Sequence, residues 1–355
     1  MKKILALLLC VCMLAFALVA CNTPDEEPAA EAEYKLGMGI SVSTTSSATN
    51  NAQVDATVAT VVTDKDGKIV ACRIDVAQNK MNVADGVVDT TLTFQTKMEK
   101  GDAYGMAGKV DNDGNGVMKE WYEQTKAFEA YVVGKTAAQV QAIQTQEVNG
   151  HQIAVDEALL NAGCSMQITD FMAAVVAACK DDQGVTFKTS KTFTLGVAAN
   201  TTADESTAAT ADTDGAVKMY SDFAAAVIID GKIAAALNDA IQPKIAINAA
   251  GEIGTITYVN TKRLLKEAYN MAPAVNYGPN YDPNGDGQVK EWYLQSKAFS
   301  EYVVGKTATE VSGIATSANA LGYQMATDEA LLNAGCTIQI TAIKAVMAKA
   351  ATNAR

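Results

Sequence analysis

KEWYEQTKAFEAYVVGKT, at Lys119–Thr136, returns as KEWYLQSKAFSEYVVGKT at Lys290–Thr307. Fourteen of the 18 positions are identical, too many for chance, so the chain carries an internal duplication. The match runs outward. DNDGNG at Asp111 pairs with DPNGDG at Asp282, AYGM at Ala103 with AYNM at Ala268, DEALLNAGC at Asp156 with the same string at Asp328, and DGKI at Asp66 with DGKI at Asp230. Copy one is placed at 34–182 and copy two at 184–355, joined by a polar stretch near Asp181–Lys191.

Each copy reads as α+β, a small antiparallel sheet with helices packed on it. It opens on an apolar strand (YKLGMGISVS at Tyr34, FTLGVAANTT at Phe193). Period-two alternation on both sides of Asp66-Gly67, and again around Asp230-Gly231, predicts a β-hairpin whose turn residues supply positive φ. TTLTFQT at Thr90 and GTITYVN at Gly254 are further strand candidates. Val117, Trp121, Thr125, Phe128 and Val132 then share one face of a helix. Gly134 closes it, Thr136 caps a short helix over Ala137–Ile143, and CSMQIT predicts a strand before a last helix with Asp170 as N-cap.

The N-terminus reads as an export signal. Lys2 and Lys3 precede an apolar Ile4–Ala17, too short for a permanent span. Leu18-Val19-Ala20-Cys21 resembles the lipobox of bacterial lipoproteins. That resemblance implies cleavage after residue 20 and acylation of Cys21, which anchors the chain to the lipid bilayer on the extracytoplasmic face of the cell membrane, by a single-membrane surface or in a periplasm. Residues 21–33, acidic and proline-containing with no large apolar side chain, are expected to be a flexible tether.

The 355 residues carry a formal net charge of −12. Such a surface opposes binding to nucleic acid and anionic headgroups. Of the seven cysteines, Cys72, Cys164, Cys179 and Cys336 lie beyond the signal and lipobox. No CxxC or finger spacing occurs among them, and buried thiols are favoured over a disulfide framework.

Chemistry is sparse. Asp111, Asp113 and Asn115, then Asp282, Asn284 and Asp286, follow the D-x-D-x-N-G rhythm of a calcium loop. Its twelfth position, a bidentate glutamate in the EF-hand, is Tyr122 or Tyr293, so Glu120 and Glu291 would have to close a shorter loop. The competing reading is an Asp/Asn/Gly turn capping a helix. Gly134-Lys135-Thr136 lacks the upstream glycine of a phosphate-binding loop. Trp121 and Trp292 suit core packing better than an exposed stacking platform. The single histidine, His151, is Tyr323 in copy two, and Asp156-Glu157 and Asp328-Glu329 read as helix-start acids.

The whole plan resembles lipobox-anchored surface lipoproteins of gut-type anaerobes, and the DGKI hairpins distantly resemble those of FMN-binding-domain lipoproteins. The flavin family attaches FMN through a Ser/Thr-Gly-Ala-Ser/Thr motif. The nearest stretch here, Ser206-Thr207-Ala208-Ala209-Thr210, lacks the glycine. The expectation is a non-enzymatic ligand- or partner-binding lipoprotein, with calcium as a candidate stabiliser. An FMN-dependent electron carrier of the envelope is the alternative, and a carboxylate hydrolase is disfavoured because no repeated acid pair has suitable spacing.

Overall fold

In copy one, β1 (Ala32–Ser43), β2 (Asn51–Asp64) and β3 (Ile69–Asn82) pair antiparallel with β2 central, placing Leu36 opposite Val62 and Val62 opposite Ala71. This computed structural model describes residues 30–107, 118–271, 289–319 and 321–355. Beyond the sheet lie α1 (Lys97–Lys100), α2 (Trp121–Val132), α3 (Ala137–Gln141), a ribbon of β4 (Thr145–Val148) and β5 (His151–Ala154), α4 (Glu157–Asn161) and α5 (Thr169–Cys179). The connector, read from sequence as polar linker, contains β6 (Val185–Thr189), which pairs antiparallel with β1 and extends the copy-one sheet to four strands.

Copy two repeats the plan with β7 (Thr194–Thr202), β9 (Tyr220–Ile229) and β10 (Lys232–Ile241) as its main sheet. An excursion after β7 supplies β8 (Gly215–Lys218), which joins β11 (Lys244–Ile247) and β12 (Ile253–Thr257) in a separate three-stranded sheet. Then follow α6 (Lys262–Leu265), α7 (Trp292–Tyr302), α8 (Ala308–Ser312), β13 (Thr316–Ala318), β14 (Gln324–Ala326), α9 (Glu329–Asn333) and α10 (Thr341–Thr352).

β2 is buried on both faces because each face is covered by something different. Its even-numbered side chains, Val54, Ala56, Val58 and Val62, meet Leu195, Val197, Phe223 and Val227 of copy two in one shared core. Its odd-numbered Ala59 and Val61 face copy one's own helices, alongside Trp121, Phe128 and Phe171. Copy two mirrors this with Ala224 and Ala226 against Trp292, Phe299 and Val346. The layers therefore run helix, sheet, sheet, helix, and Glu31–Arg355 forms one compact unit.

Two glycines set the helix-to-sheet distance in copy one. A Cβ on Gly37 would lie 2.0 Å from the Ala178 carbonyl oxygen of α5, and one on Gly39 would lie 2.1 Å from that of Ala174. Gly196 holds the same relation to Ala350 of α10, at 1.9 Å.

The duplicated motifs DGKI and GKT turn out to be two halves of one contact. Gly134 N–H donates to Ile69 O at 2.7 Å and Ile69 N–H to Lys135 O at 2.9 Å; Gly305, Ile233 and Lys306 repeat both distances. The second hairpin turn has positive φ at both Asp230 and Gly231, whereas the first has it at Gly67 alone; both hairpins carry a register shift just past the turn, at Val62/Thr63 and at Ile233/Ala235. Of the expected helix stripe, Trp121, Thr125, Phe128 and Val132 are all buried on α2, and Val117 lies outside the described residues.

Three local expectations fail. Residues 90–96 form no strand, because Leu92 and Phe94 pack onto the shared core instead of entering a ladder. Residues 164–168 are likewise irregular. The N-cap of α5 is Ile168, so Asp170 lies inside the first turn.

Candidate functional site

Cys21, Asp111, Asp113, Asn115, Asp282, Asn284 and Asp286 lie outside the described residues. The two glutamates proposed to close the calcium loops are described, and both hold backbone. Buried Glu120 accepts from Met106 N–H (2.9 Å) and Ala107 N–H (3.1 Å), while its own N–H donates to Glu123. Glu291 accepts from Met271 N–H at 2.9 Å. These bonds tie AYGM and AYNM to the KEWY helices, so the paired motifs are held in register by a carboxylate. Among the described residues no group of three or more His, Cys, Asp or Glu is placed to hold a metal.

Lys135 lies over the Tyr131 ring at 4.1 Å and Lys306 over Tyr302 at 4.3 Å, while each tyrosine hydroxyl donates to the N-cap aspartate, Asp156 or Asp328, at 2.7 Å. The GKT lysines are helix-end cations on aromatic faces. Cys72, Cys164, Cys179 and Cys336 are all free. Burial pushes the Cys164 and Cys336 thiols up to about 12 and that of Cys179 to about 11.

A second duplicated constellation lies at the C-terminal ends of the paired stretches TTLTFQT and GTITYVN. Thr96-Lys97 and Thr261-Lys262 open the short helices α1 and α6, each threonine capping its helix. A buried aspartate on the neighbouring strand receives them. Asp75 accepts from Val76 N–H (2.7 Å) and Met98 N–H (3.2 Å), and Asp239 from Ala240 N–H (2.8 Å) and Arg263 N–H (3.0 Å). Burial pushes Asp75 up to about 6, against the stabilising pull of those donors, and raises Asp239 likewise. The Lys97 ammonium lies over the rings of Tyr104 (5.1 Å) and Trp121 (5.7 Å); Lys262 lies over Tyr269 and Trp292, both at 5.0 Å. The shared string Thr-Lys was legible once the two stretches were aligned. Its joining to Tyr and Trp was not.

The copies treat this lysine differently. The strand registers make Thr57 of β2 the counterpart of Asp222 of β9, since Ser41 faces the first and Asn200 the second. In copy two, Lys262 and Trp292 are buried, and the excursion after β7 brings Glu205 into range. Burial lowers Lys262 to about 8 although Asp222, Asp239 and Glu205 all pull it up, and burial raises Asp222 to about 6. In copy one Lys97 is half-buried and borders a cavity of about 380 Å³. Asp55, Thr57, His151, Gln167 and Asp170 give it polar walls, and Tyr104, Met106, Trp121, Met166 and Phe171 give it apolar ones. Asp55 Oδ2 accepts from Gln53 at 2.6 Å, while its buried Oδ1 has no hydrogen-bond partner among the described residues. His151 and Asp170 are Tyr323 and Ala342 in copy two, so those two polar groups of the wall belong to copy one alone.

No family model matches the chain, and no solved structure matches it. It is similar to the chlorophenol reductase of Desulfitobacterium hafniense, 30% identical over 131 residues that cover 32% of this chain and 38% of that protein. The chain thus spans well under half the length of that curated relative.

Proposed function

We propose that this chain is an extracytoplasmic lipoprotein, anchored to the bilayer through an acylated Cys21, whose folded part binds a small molecule without turning it over, and that the copy-one cavity beside Lys97 is the binding site. One observation carries the reading. Two copies of one Asp-Thr-Lys-Tyr-Trp constellation exist; in copy two the lysine is buried among the charges of Asp222, Asp239 and Glu205, while copy one leaves a cavity with convergent polar groups. Its volume of about 380 Å³ falls within the usual range for small-molecule sites. In this proposal the Asp/Asn/Gly loops at Asp111 and Asp282 bind calcium as rigidifying clips, tested by a fall in Tm on chelation.

A second reading is an FMN-binding electron-transfer lipoprotein of the envelope. It is favoured by the partial likeness to a protein named as a reductase and by the DGKI hairpins. Purifying the chain from Asn22 onward with FMN supplied separates the two: a visible flavin band that survives gel filtration supports the electron carrier.

Native mass spectrometry of the lipoprotein released from its own membrane tests the first reading. A bound small mass is expected on the wild type and not on Thr57→Asp, which installs beside Lys97 the carboxylate that copy two tolerates beside Lys262. Equal loading of both proteins, or turnover of the bound compound, would sink it.

A further inference from the structure

A larger groove, about 870 Å³, shares no lining residue with the Lys97 cavity. Its floor is an ion cluster that copy two does not repeat. Arg73 of β3 and Arg355 both reach the buried carboxylate of Glu129 on α2, at 3.6 and 2.7 Å. The other Glu129 oxygen takes the Ile74 N–H at 2.8 Å, and Arg73 also donates to the Cys72 and Arg355 main-chain oxygens. Lys126 on α2 adds a third cation to the lining, its ammonium 5.0 Å from the centre of the exposed-side Tyr122 ring. Two guanidiniums thus share the Glu129 carboxylate and Lys126 is a further cation in the lining, in a chain whose formal charge is −12. Lys191, also in the lining, already has Asp230 as partner.

The Arg73 Nε–H is buried and has no acceptor among the described residues. Buried donors are ordinarily paired; both Nη groups of Arg73 already donate, so its Nε–H is the donor left over. Beside these cations the wall turns apolar, with Tyr34, Phe193, Val70 and a half-exposed Val133. Tyr34 and Phe193 already meet edge to face, with centroids 5.4 Å apart, so their rings are held in place. The registers match Arg73 to Leu237, and the KEWY alignment matches Glu129 to Ser300. Copy two therefore keeps the scaffold with both charges removed.

We propose that this groove binds a small aromatic anion, an aryl carboxylate or aryl phosphate, with the charged group between Arg73 and Lys126 and the ring against Tyr34 and Phe193. A guanidinium fork matches the planar oxygens of either head group, and an aryl ring uses the apolar wall that inorganic phosphate leaves empty.

The test is isothermal titration of phenyl phosphate into the chain from Asn22 onward, at low ionic strength. Saturable one-to-one binding is expected, weakened about tenfold or more by Lys126→Gln, a loss of roughly 1.4 kcal/mol or more. The double variant Arg73→Leu/Glu129→Ser carries the residue types of copy two, so no unpaired buried charge is left behind. It is expected to abolish binding while its Tm stays near that of wild type. Thr57→Asp, at the other cavity, leaves phenyl phosphate binding unchanged. The proposal is overturned if wild type shows no saturation, if the double variant binds as wild type does, or if inorganic phosphate or benzyl alcohol binds as tightly as phenyl phosphate.

Discussion

Gly39→Ala is expected to cost far more than the loss of one rotational freedom. The residue has ordinary backbone dihedrals, so the substitution adds no φ strain and reports sterics alone. Its new Cβ would sit 2.1 Å from Ala174 O, 2.5 Å from Ala178 N and 2.7 Å from the Ala177 methyl. Ordinary contact begins near 3.4 Å, so α5 must retreat by roughly 1.3 Å, because backbone atoms have no rotamer through which to yield. Its buried face, Phe171, Ala174, Val175 and Ala178, withdraws with it. A gap of about 0.5–1 Å already forfeits a quarter to a half of the contact attraction. The expected loss is therefore about 3–5 kcal/mol, the scale of a large core truncation, measured by urea denaturation with the m-value unchanged. Gly254→Ala is the control: its Cβ meets only the Ala246 methyl closely, at 3.2 Å, and should cost under about 1 kcal/mol. A second readout follows, since the first turn of α5 carries Asp170 and Phe171 to the Lys97 cavity. Gly196→Ala should destabilise alike through α10 yet spare that cavity. A Gly39→Ala loss no larger than that of Gly254→Ala would refute the close-approach argument.

Stability should pass through a minimum between about pH 6 and pH 8. Asp75 and Asp222 have folded values raised to about 6, so the folded chain binds more protons than the unfolded one between about 4 and 6, and stability falls as pH rises through that window. Lys262 is lowered to about 8, so the unfolded chain binds more protons at this group above that and stability recovers towards about pH 9. Beyond that the buried thiols, raised to about 11 and 12, hold their protons only in the folded chain and turn the curve down again. Each group contributes on the order of 3 kcal/mol. Tm against pH reads the curve, and Lys262→Met should remove its alkaline limb. Thr136→Ala breaks the capping box with Gln139 and should cost about 1 kcal/mol in denaturant titration, as should Thr307→Ala with Glu310. Ellman's reagent at pH 8 should find the folded chain nearly inert, with partly buried Cys179 the first thiol to react; fast release of several thiols would contradict their burial.

Residues close together in sequence fixed whatever depends on short-range physics. The apolar period of 3.6 gave α2, because Trp121, Thr125, Phe128 and Val132 must share a face. Asp-Gly gave the hairpins, and Thr136-x-x-Gln139 and Thr307-x-x-Glu310 gave the caps, all governed by dihedrals and bonds within a few residues. The duplication itself was plain in the string, including Glu120 and Glu291, although their task of holding the backbone of Met106, Ala107 and Met271 was not.

Tertiary structure alone decided where the strand candidates went. TTLTFQT has good strand composition, but strand preference amounts to fitting a pleated, half-buried surface, and Phe94 found a better one on the shared core. β6, written in a polar connector, found an unpaired edge at β1. The same holds for the candidate sites. Lys97, Tyr104 and Trp121 are brought into contact by separate elements, Arg73 meets Arg355 across most of the chain, and the difference between an open and a closed lysine rests on Thr57 standing where copy two has Asp222. Such contacts depend on which surfaces remain after two sheets have buried their inner faces against each other, and local patterns do not encode that choice.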